Sequence, residues 1–338
     1  MRALWDRASV SLPDSVGDSS FTLHSSTDPF DHRASAAIAE VTLRAIEAAR
    51  GSLLMLHACA LADPTGATIV LVGPSGRGKT TAAATLGRTY GYLTDETTGI
   101  TPEGRILPYE KPLLIRTAEG MPKRPFSPDE LGLLPARILP YEKPLLIRTA
   151  EGMPKRPFSP DELGLLPAPA DPRLAALVIL DRDPYLIGPA QLALLDLADA
   201  IPLLVPETSA LPALENGIPI LARLAAGLGG VHRVRYRDAE QLVPITAELL
   251  SAPPAPDESW REVENRNAVT DGQRVIVLAA GTVHVLDGIA ATIWHHPHLH
   301  GDTLTDAVTA QHGPTINASE RVDGAAAALS TLGLREEA

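Results

Sequence analysis

The run Gly73-Pro74-Ser75-Gly76-Arg77-Gly78-Lys79-Thr80 restricts what this chain can fold into more than any other stretch. It fits the pattern G-x-x-x-x-G-K-[ST], with an apolar run, ATIVLV at 67–72, before it and a helix-favouring run, KTTAAATLGRTYG at 79–91, after it. A glycine turn in that setting needs a buried strand to deliver the chain and a helix to receive it, so the surrounding domain is expected to be α/β. The glycines let backbone N–H groups turn toward an anion, and the helix N-terminus adds a positive dipole. Lys79 then reaches the β- and γ-phosphates of a nucleoside triphosphate, and Thr80 offers its hydroxyl to Mg²⁺. With Thr81 just inside the helix, residues 73–81 form the expected ATP-binding set.

The elements around this loop follow from patterning. ASAAIAEVTLRAIEAARG at 34–51 has the spacing of an amphipathic helix closed by Gly51, at the end of a lead-in that covers residues 1–50. LLMLHACAL at 53–61 and ATIVLV read as two buried strands joined by the turn Asp63-Pro64-Thr65-Gly66. GYLTDE at 91–96 reads as a short strand ending in two carboxylates, and LAALVILDRD at 174–183 as a further buried strand. PAQLALLDLADAIPLL at 189–204 and NGIPILARLAAGL at 216–228 read as helices, and VHRVRY at 231–236 as a strand. The nucleotide-binding domain is thus placed at 51–250. A Pro- and Ala-rich stretch at 251–259 has linker composition, and 260–338 forms a second unit. There RVIVLA and TVHVL flank Ala280-Gly281 as a hairpin, and three helical patterns start near Asp287, Asp302 and Ser319, a winged-helix-like α+β arrangement.

One stretch breaks the ordinary pattern. RILPYEKPLLIRTAEGMPKRPFSPDELGLLPA occupies residues 105–136 and recurs unchanged at 137–168. Two identical copies fall short of the three or so units that a solenoid needs, so the reading is a recent tandem duplication tolerated as an insertion.

Phosphate binding becomes transfer only if a carboxylate holds the metal or takes a proton from the acceptor. Asp95-Glu96, at the end of the strand after the loop helix, and Asp181, at the end of LAALVILD, are both placed for this, and the residues alone allow either. His57 lies in the strand expected beside the one that feeds the glycine loop, where its ring faces either the core or the phosphates. Cys59 is the only cysteine; its alanine neighbours mark it as a small buried hydrophobe in a reducing compartment. His295, His296, His298 and His300 cluster around Pro297, but no cysteine and no i, i+4 order completes a metal site.

Charge excludes one class of partner. The formal net charge is −12, and every lysine lies at or before Lys155, so a nucleic-acid surface is not expected. The opening MRALWDRASVSLPDS has charges and a proline where a secretory signal would be apolar, and no apolar run approaches the ~20 residues of a membrane span. A cytoplasmic protein is the expectation.

Residues 56–116, with a histidine-bearing strand, the glycine loop, an acidic pair ending the next strand and a Pro-rich segment with Lys and Arg, resemble the catalytic domain of HPr kinase and its phosphoenolpyruvate-carboxykinase-like relatives. The resemblance implies a mixed-sheet domain and an ATP- and Mg²⁺-dependent kinase. It assigns acceptor activation to Asp95, Mg²⁺ to Glu96 with Thr80, and a place close by to His57; Lys79 clamps phosphate and Asp181 becomes structural. An arginine position in that family falls on either Arg116 or its copy Arg148. The longer signature of true HPr kinases and their N-terminal domain are absent from the sequence. The second unit, through its hairpin and VHVLDGIAATIW at 283–294, resembles PqqD, a small domain that holds leader peptides in ribosomal peptide modification. The pairing resembles lasso-peptide kinases and implies a Ser/Thr kinase acting on a captured precursor peptide, with modifying enzymes of the same pathway and a homo-oligomer as further partners. The rival reading is a nucleotide-gated switch that delivers a peptide without phosphorylating it.

Overall fold

The computed structural model describes residues 30–115, 156–251, 254–264, 266–314 and 316–335. Helix α1 (Phe30–Ala49) leads into strands β1 (Leu54–Leu56), β2 (Ala58–Ala62) and β3 (Ala67–Val72), then α2 (Lys79–Leu86), β4 (Gly91–Thr94), β5 (Thr98–Ile100), β6 (Ile106–Leu107) and β7 (Leu113–Ile115). After residue 155 come β8 (Arg156–Phe158), β9 (Arg173–Arg182), β10 (Gln191–Leu195), α3 (Leu197–Leu204), β11 (Thr208–Ser209), α4 (Gly217–Gly227), β12 (Val231–Tyr236) and α5 (Leu242–Ser251). The C-terminal unit holds β13 (Arg261–Glu262), β14 (Ala268–Thr270), β15 (Val275–Ala279), β16 (Thr282–Leu286), α6 (Gly288–His295), α7 (Gly301–His312) and α8 (Ala318–Thr331).

A six-stranded mixed sheet in the order β10-β12-β9-β3-β2-β4 forms the centre, with β3, β9 and β12 mutually parallel. Alternation along the strand explains why ATIVLV is apolar at every position but Thr68, which is itself buried. Val70 and Val72 point to a layer that includes α3 and α4, while Ile69 and Leu71 point to one that includes α2. All four are fully buried or nearly so, each stabilising by roughly 1.5–3 kcal/mol relative to exposure. The turn before β3 forms as its residues suggest: Asp63 Oδ1 accepts from the backbone N–H groups of Thr65 and Ala67. Gly66 there has φ +94°, and a Cβ on it would lie 2.5 Å from the Asp171 carbonyl oxygen.

Two expectations fail in instructive ways. LLMLHACAL is two strands: β1 joins a small antiparallel sheet, β11-β1-β5-β6, and β2 joins the large one, with the switch at His57. The first half of PAQLALLDLADAIPLL is β10, paired antiparallel with β12, and only Leu197–Leu204 is helical. A contiguous run such as LALL carries no period that separates strand from helix, and pairing with β12 decides it. Asp196 starts α3, its carboxylate accepting from Ala198 N–H.

Each copy of the duplicated segment supplies one strand of a pair. β7 comes from the first copy and β8 from the second, and they pair antiparallel with Leu113 opposite Phe158 and Ile115 opposite Arg156. Glu110 of the first copy accepts from the Ala168 N–H of the second at 2.9 Å. Residues 105–115 and 156–168 therefore supply the beginning and end of one repeat, while Arg116 and Arg148 lie outside the described residues.

The C-terminal sheet, β13-β14-β15-β16, is packed on both faces at β14 and β15. Ala268, Val275 and Val277 pack with α6, α7 and α8, while Val269 and Ile276, with Trp260, enter the same cluster as α3 and α4. Polar contacts reinforce this seam: Asn267 Oδ1 accepts from the Ile218 N–H at the start of α4, and Arg274 forms a two-pronged ion pair with Asp196.

Candidate functional site

The glycine loop leaves β3 at the carboxyl end of the parallel strands and enters α2. Gly76 and Gly78 have φ +92° and +94°, a region L-residues rarely adopt. A Cβ at Gly76 would meet nothing within 4 Å, so the backbone faces open space there. Gly78 is different. A Cβ on it would sit 2.6 Å from the Tyr236 hydroxyl, which donates to the Arg77 carbonyl and ties the loop to β12. Pro74, Ser75, Gly76 and Arg77 are exposed, as is Thr81, while Lys79 and Thr80 are half-buried. Lys79 Nζ turns back onto the carbonyl oxygens of Gly73 and Pro74. Burial lowers its pKa, and the Glu207, Glu96 and Asp95 carboxylates work against that shift.

Behind the loop sits a chain of charged groups that the sequence only partly announces. Thr80 Oγ1 donates to Asp95 Oδ2 at 2.9 Å. Asp95 Oδ1 accepts from Lys111 Nζ at 2.7 Å and from the Tyr92 hydroxyl at 3.3 Å. Lys111 also pairs with Glu96 at 3.1 Å. Asp95 and Lys111 are almost fully buried, whereas the Glu96 side chain is 53% exposed. Burial alone would lower the Lys111 pKa; Asp95 and Glu96 outweigh it and raise the value, so the ammonium stays charged at every ordinary pH.

His57 stands where β1 passes into β2. Its Nε2 lies 2.9 Å from Ser209 Oγ, and its N–H donates to the Glu207 carbonyl at 2.6 Å. Glu207 is buried, and its charge is the largest of those that offset the desolvation of Lys79. The structure thus brings Lys79, Thr80, Asp95, Glu96 and His57 to one end of the sheet. It adds Lys111 and Glu207, which the sequence reading did not single out. Asp181 is elsewhere, at the end of β9, where Arg77 and Arg233 bind it. Cys59, in β2, is fully buried, and desolvation pushes its thiol up to about 12, so it remains a neutral thiol.

The loop and its surroundings fit a polyphosphate and a divalent metal. Gly76 faces open space that a side chain would fill, an ammonium sits in the mouth of the loop, and a hydroxyl next to a buried carboxylate can present oxygen to Mg²⁺. Among the described residues no group of three or more His, Cys, Asp or Glu side chains could hold a metal ion unaided, so Mg²⁺ here would need phosphate oxygens as ligands. The histidines around Pro297 also form no such group. Instead Arg335, buried, donates to the Ile293, His296 and Leu299 carbonyls and closes the end of α6. No described helix is long and apolar enough to cross a membrane.

No protein-family model matches the chain, and no curated protein is found to be similar to it.

Proposed function

We propose that the chain is an ATP-dependent phosphotransferase of the HPr-kinase-like kind, acting on a hydroxyl of a ribosomally made precursor peptide. One observation carries the reading: the Thr80–Asp95–Lys111–Glu96 chain behind a glycine loop whose backbone faces open space. ATP with Mg²⁺ would supply the phosphoryl group. The backbone N–H groups of residues 75–80 and Lys79 would hold its phosphates, and Thr80 its metal.

The geometry favours a division of labour opposite to the one the resemblance implies. Asp95 is buried and already accepts three donors, which suits it to fix the Thr80 hydroxyl as a metal ligand. Glu96 is the carboxylate that an incoming hydroxyl can approach, so it is assigned the proton at the acceptor oxygen. Lys111 holds both carboxylates in register. His57, bonded to Ser209, joins the small sheet to the phosphate end of the large one.

Peptide capture falls to the C-terminal unit. β16 is an edge strand of its sheet, and no described strand pairs with its outer side, which is what strand addition by an extended peptide requires. A second reading, a nucleotide-gated delivery switch, draws support from the shared core of Trp260, Val269 and Ile276 with α3 and α4, because it couples the two units mechanically. Incubation with γ-labelled ATP and candidate precursor peptides separates the two. Label on peptide supports the kinase, and free phosphate alone supports the switch. Absence of Mg-ATP binding to folded protein by calorimetry refutes both.

A further inference from the structure

Beside the glycine loop, at the carboxyl ends of β9 and β12, lies a cleft of about 570 Å³. Its walls hold three guanidiniums, Arg77, Arg233 and Arg235, two carboxylates, Asp181 and Asp183, and the backbone of Arg182. Such positions outside the carboxyl ends of strands are where open α/β sheets bind ligands. The register explains the cluster. Arg235 is opposite Asp181 on β9 and Gln191 on β10, and Arg233 is opposite Ala193, so their side chains share the sheet face that the α3 and α4 layer covers further down. Arg77 comes from the loop itself and reaches Asp181 at 3.4 Å and the Arg182 carbonyl at 3.1 Å.

The cations exceed what the aspartates neutralise. Arg233 Nη2 bonds Asp181 at 2.6 Å, and Arg235 uses Nε and Nη2 on Asp183. A guanidinium has five N–H donors, so these bonds hold the arginines in place without exhausting them. The side chains of Arg77, Arg233 and Arg235 are 44–52% exposed, and three guanidiniums against two carboxylates leave the cleft an excess of one positive charge in a chain of net charge −12.

We infer that this cleft binds a carboxylate of the acceptor peptide, so that the substrate is an acidic peptide segment held next to the loop; this rests on the kinase reading above. A planar carboxylate matches the two-pronged donor geometry of arginine. Polyphosphate or nucleic acid would carry more charge than one excess cation offsets. The rim suits a peptide. Tyr185 and Ile187, in the loop from β9 to β10, are 89% and 93% exposed, and β10 is an edge strand with Leu194 60% exposed. An extended segment along β10 would set its acidic side chain over the arginines and apolar neighbours on that rim.

The test uses the full chain and two labelled hexapeptides, one with a serine and two glutamates, the other with glutamines in their place, read by fluorescence anisotropy at low ionic strength. The glutamate peptide should bind about tenfold more tightly, the scale of one charge-assisted contact. Arg233→Gln should abolish that preference. So should Ala193→Glu, which adds a negative charge to the cleft while leaving every arginine in place. Both variants should keep their melting temperature and their Mg-ATP binding, and Lys79→Ala should keep the preference. Equal affinity for the two peptides, or a preference that survives both cleft variants, overturns the inference. Failure of the kinase reading looks different: no phosphate transfer to either peptide while the acidic preference persists.

Discussion

Deleting residues 116–147 should stabilise this protein. Because the two copies are identical, the deletion gives the same sequence as removing either one, and it joins Ile115 to Arg148. The strands β7 and β8, and the Glu110 contact to Ala168, use residues outside the excised part and remain as they are. What changes is the length of chain that the strand pair must close. Residues 116–155 now make that connection, 40 positions; the shortened chain makes it with residues 148–155, 8 positions. Chain statistics set the difference at (3/2)RT ln(40/8), about 1.4 kcal/mol in favour of the short connection. For a protein of this size that corresponds to a rise of about 2 °C in melting temperature. Urea titration followed by tryptophan fluorescence measures the first quantity and calorimetric melting the second. A lower midpoint, or loss of Mg-ATP binding in the shortened chain, would refute the reasoning, since residues 116–147 would then supply contacts and not merely length.

Three further outcomes follow from the site and its supports. Lys111→Ala strips a partner from a nearly fully buried carboxylate and should cost about 3–5 kcal/mol in urea unfolding; it is best read in the shortened chain, which lacks the second copy's Lys143. Lys79→Ala should remove Mg-ATP binding by calorimetry, Glu96→Gln should keep binding and reduce transfer by orders of magnitude, and Asp95→Asn should weaken the Mg²⁺ dependence of binding. Asp271 contributes to the pH dependence of the C-terminal unit. Burial alone would raise its pKa, but the N–H groups of Arg274 and Gln273 and the Arg274 side chain hold it below the usual 3.8. Its folded pKa is depressed, so its stabilisation is present above about pH 4 and is lost as pH falls through the folded value. The melting-temperature gap between the wild type and Asp271→Asn should therefore narrow from pH 6 toward pH 3, and a gap that widens would contradict the assignment.

What could be read in the sequence was whatever local chemistry determines. The glycine loop is legible because only glycine takes the φ of Gly76 and Gly78 cheaply, and because the apolar run before it is buried on both faces. The hairpin around Ala280-Gly281 is legible for the same reason at Gly281 alone; Ala280 also adopts positive φ, which an alanine does not announce. Where neighbours far along the chain decide, the sequence is silent. β10 is a strand because β12 pairs with it, although its leucines suit a helix equally well. Lys111 reads as one more exposed lysine in a Pro-rich stretch until β4 and the segment before β7 bring it against Asp95. Its own neighbour Glu110, also buried, gives no hint of which of the two faces the site.

Glu207 shows the limit most clearly, and it also says how the two ends of the chain are joined. It follows α3 and precedes β11, which pairs with β1 and so sets the Glu207 carbonyl against His57 N–H. The same α3 begins at Asp196, which the C-terminal unit grips through Arg274. One short helix thus has the C-terminal unit at its start and the Lys79 counter-charge just past its end. A shift of α3 along its axis would move Glu207 relative to Lys79 and change how strongly the loop's ammonium is held. Coupling between two sites requires an element that both can bias, and α3 is the element that lies in the chain between Asp196 and Glu207. Arg274→Gln, which releases the grip without touching the loop, should therefore alter Mg-ATP affinity, and identical calorimetric titrations of the variant and the wild type would show that α3 transmits nothing.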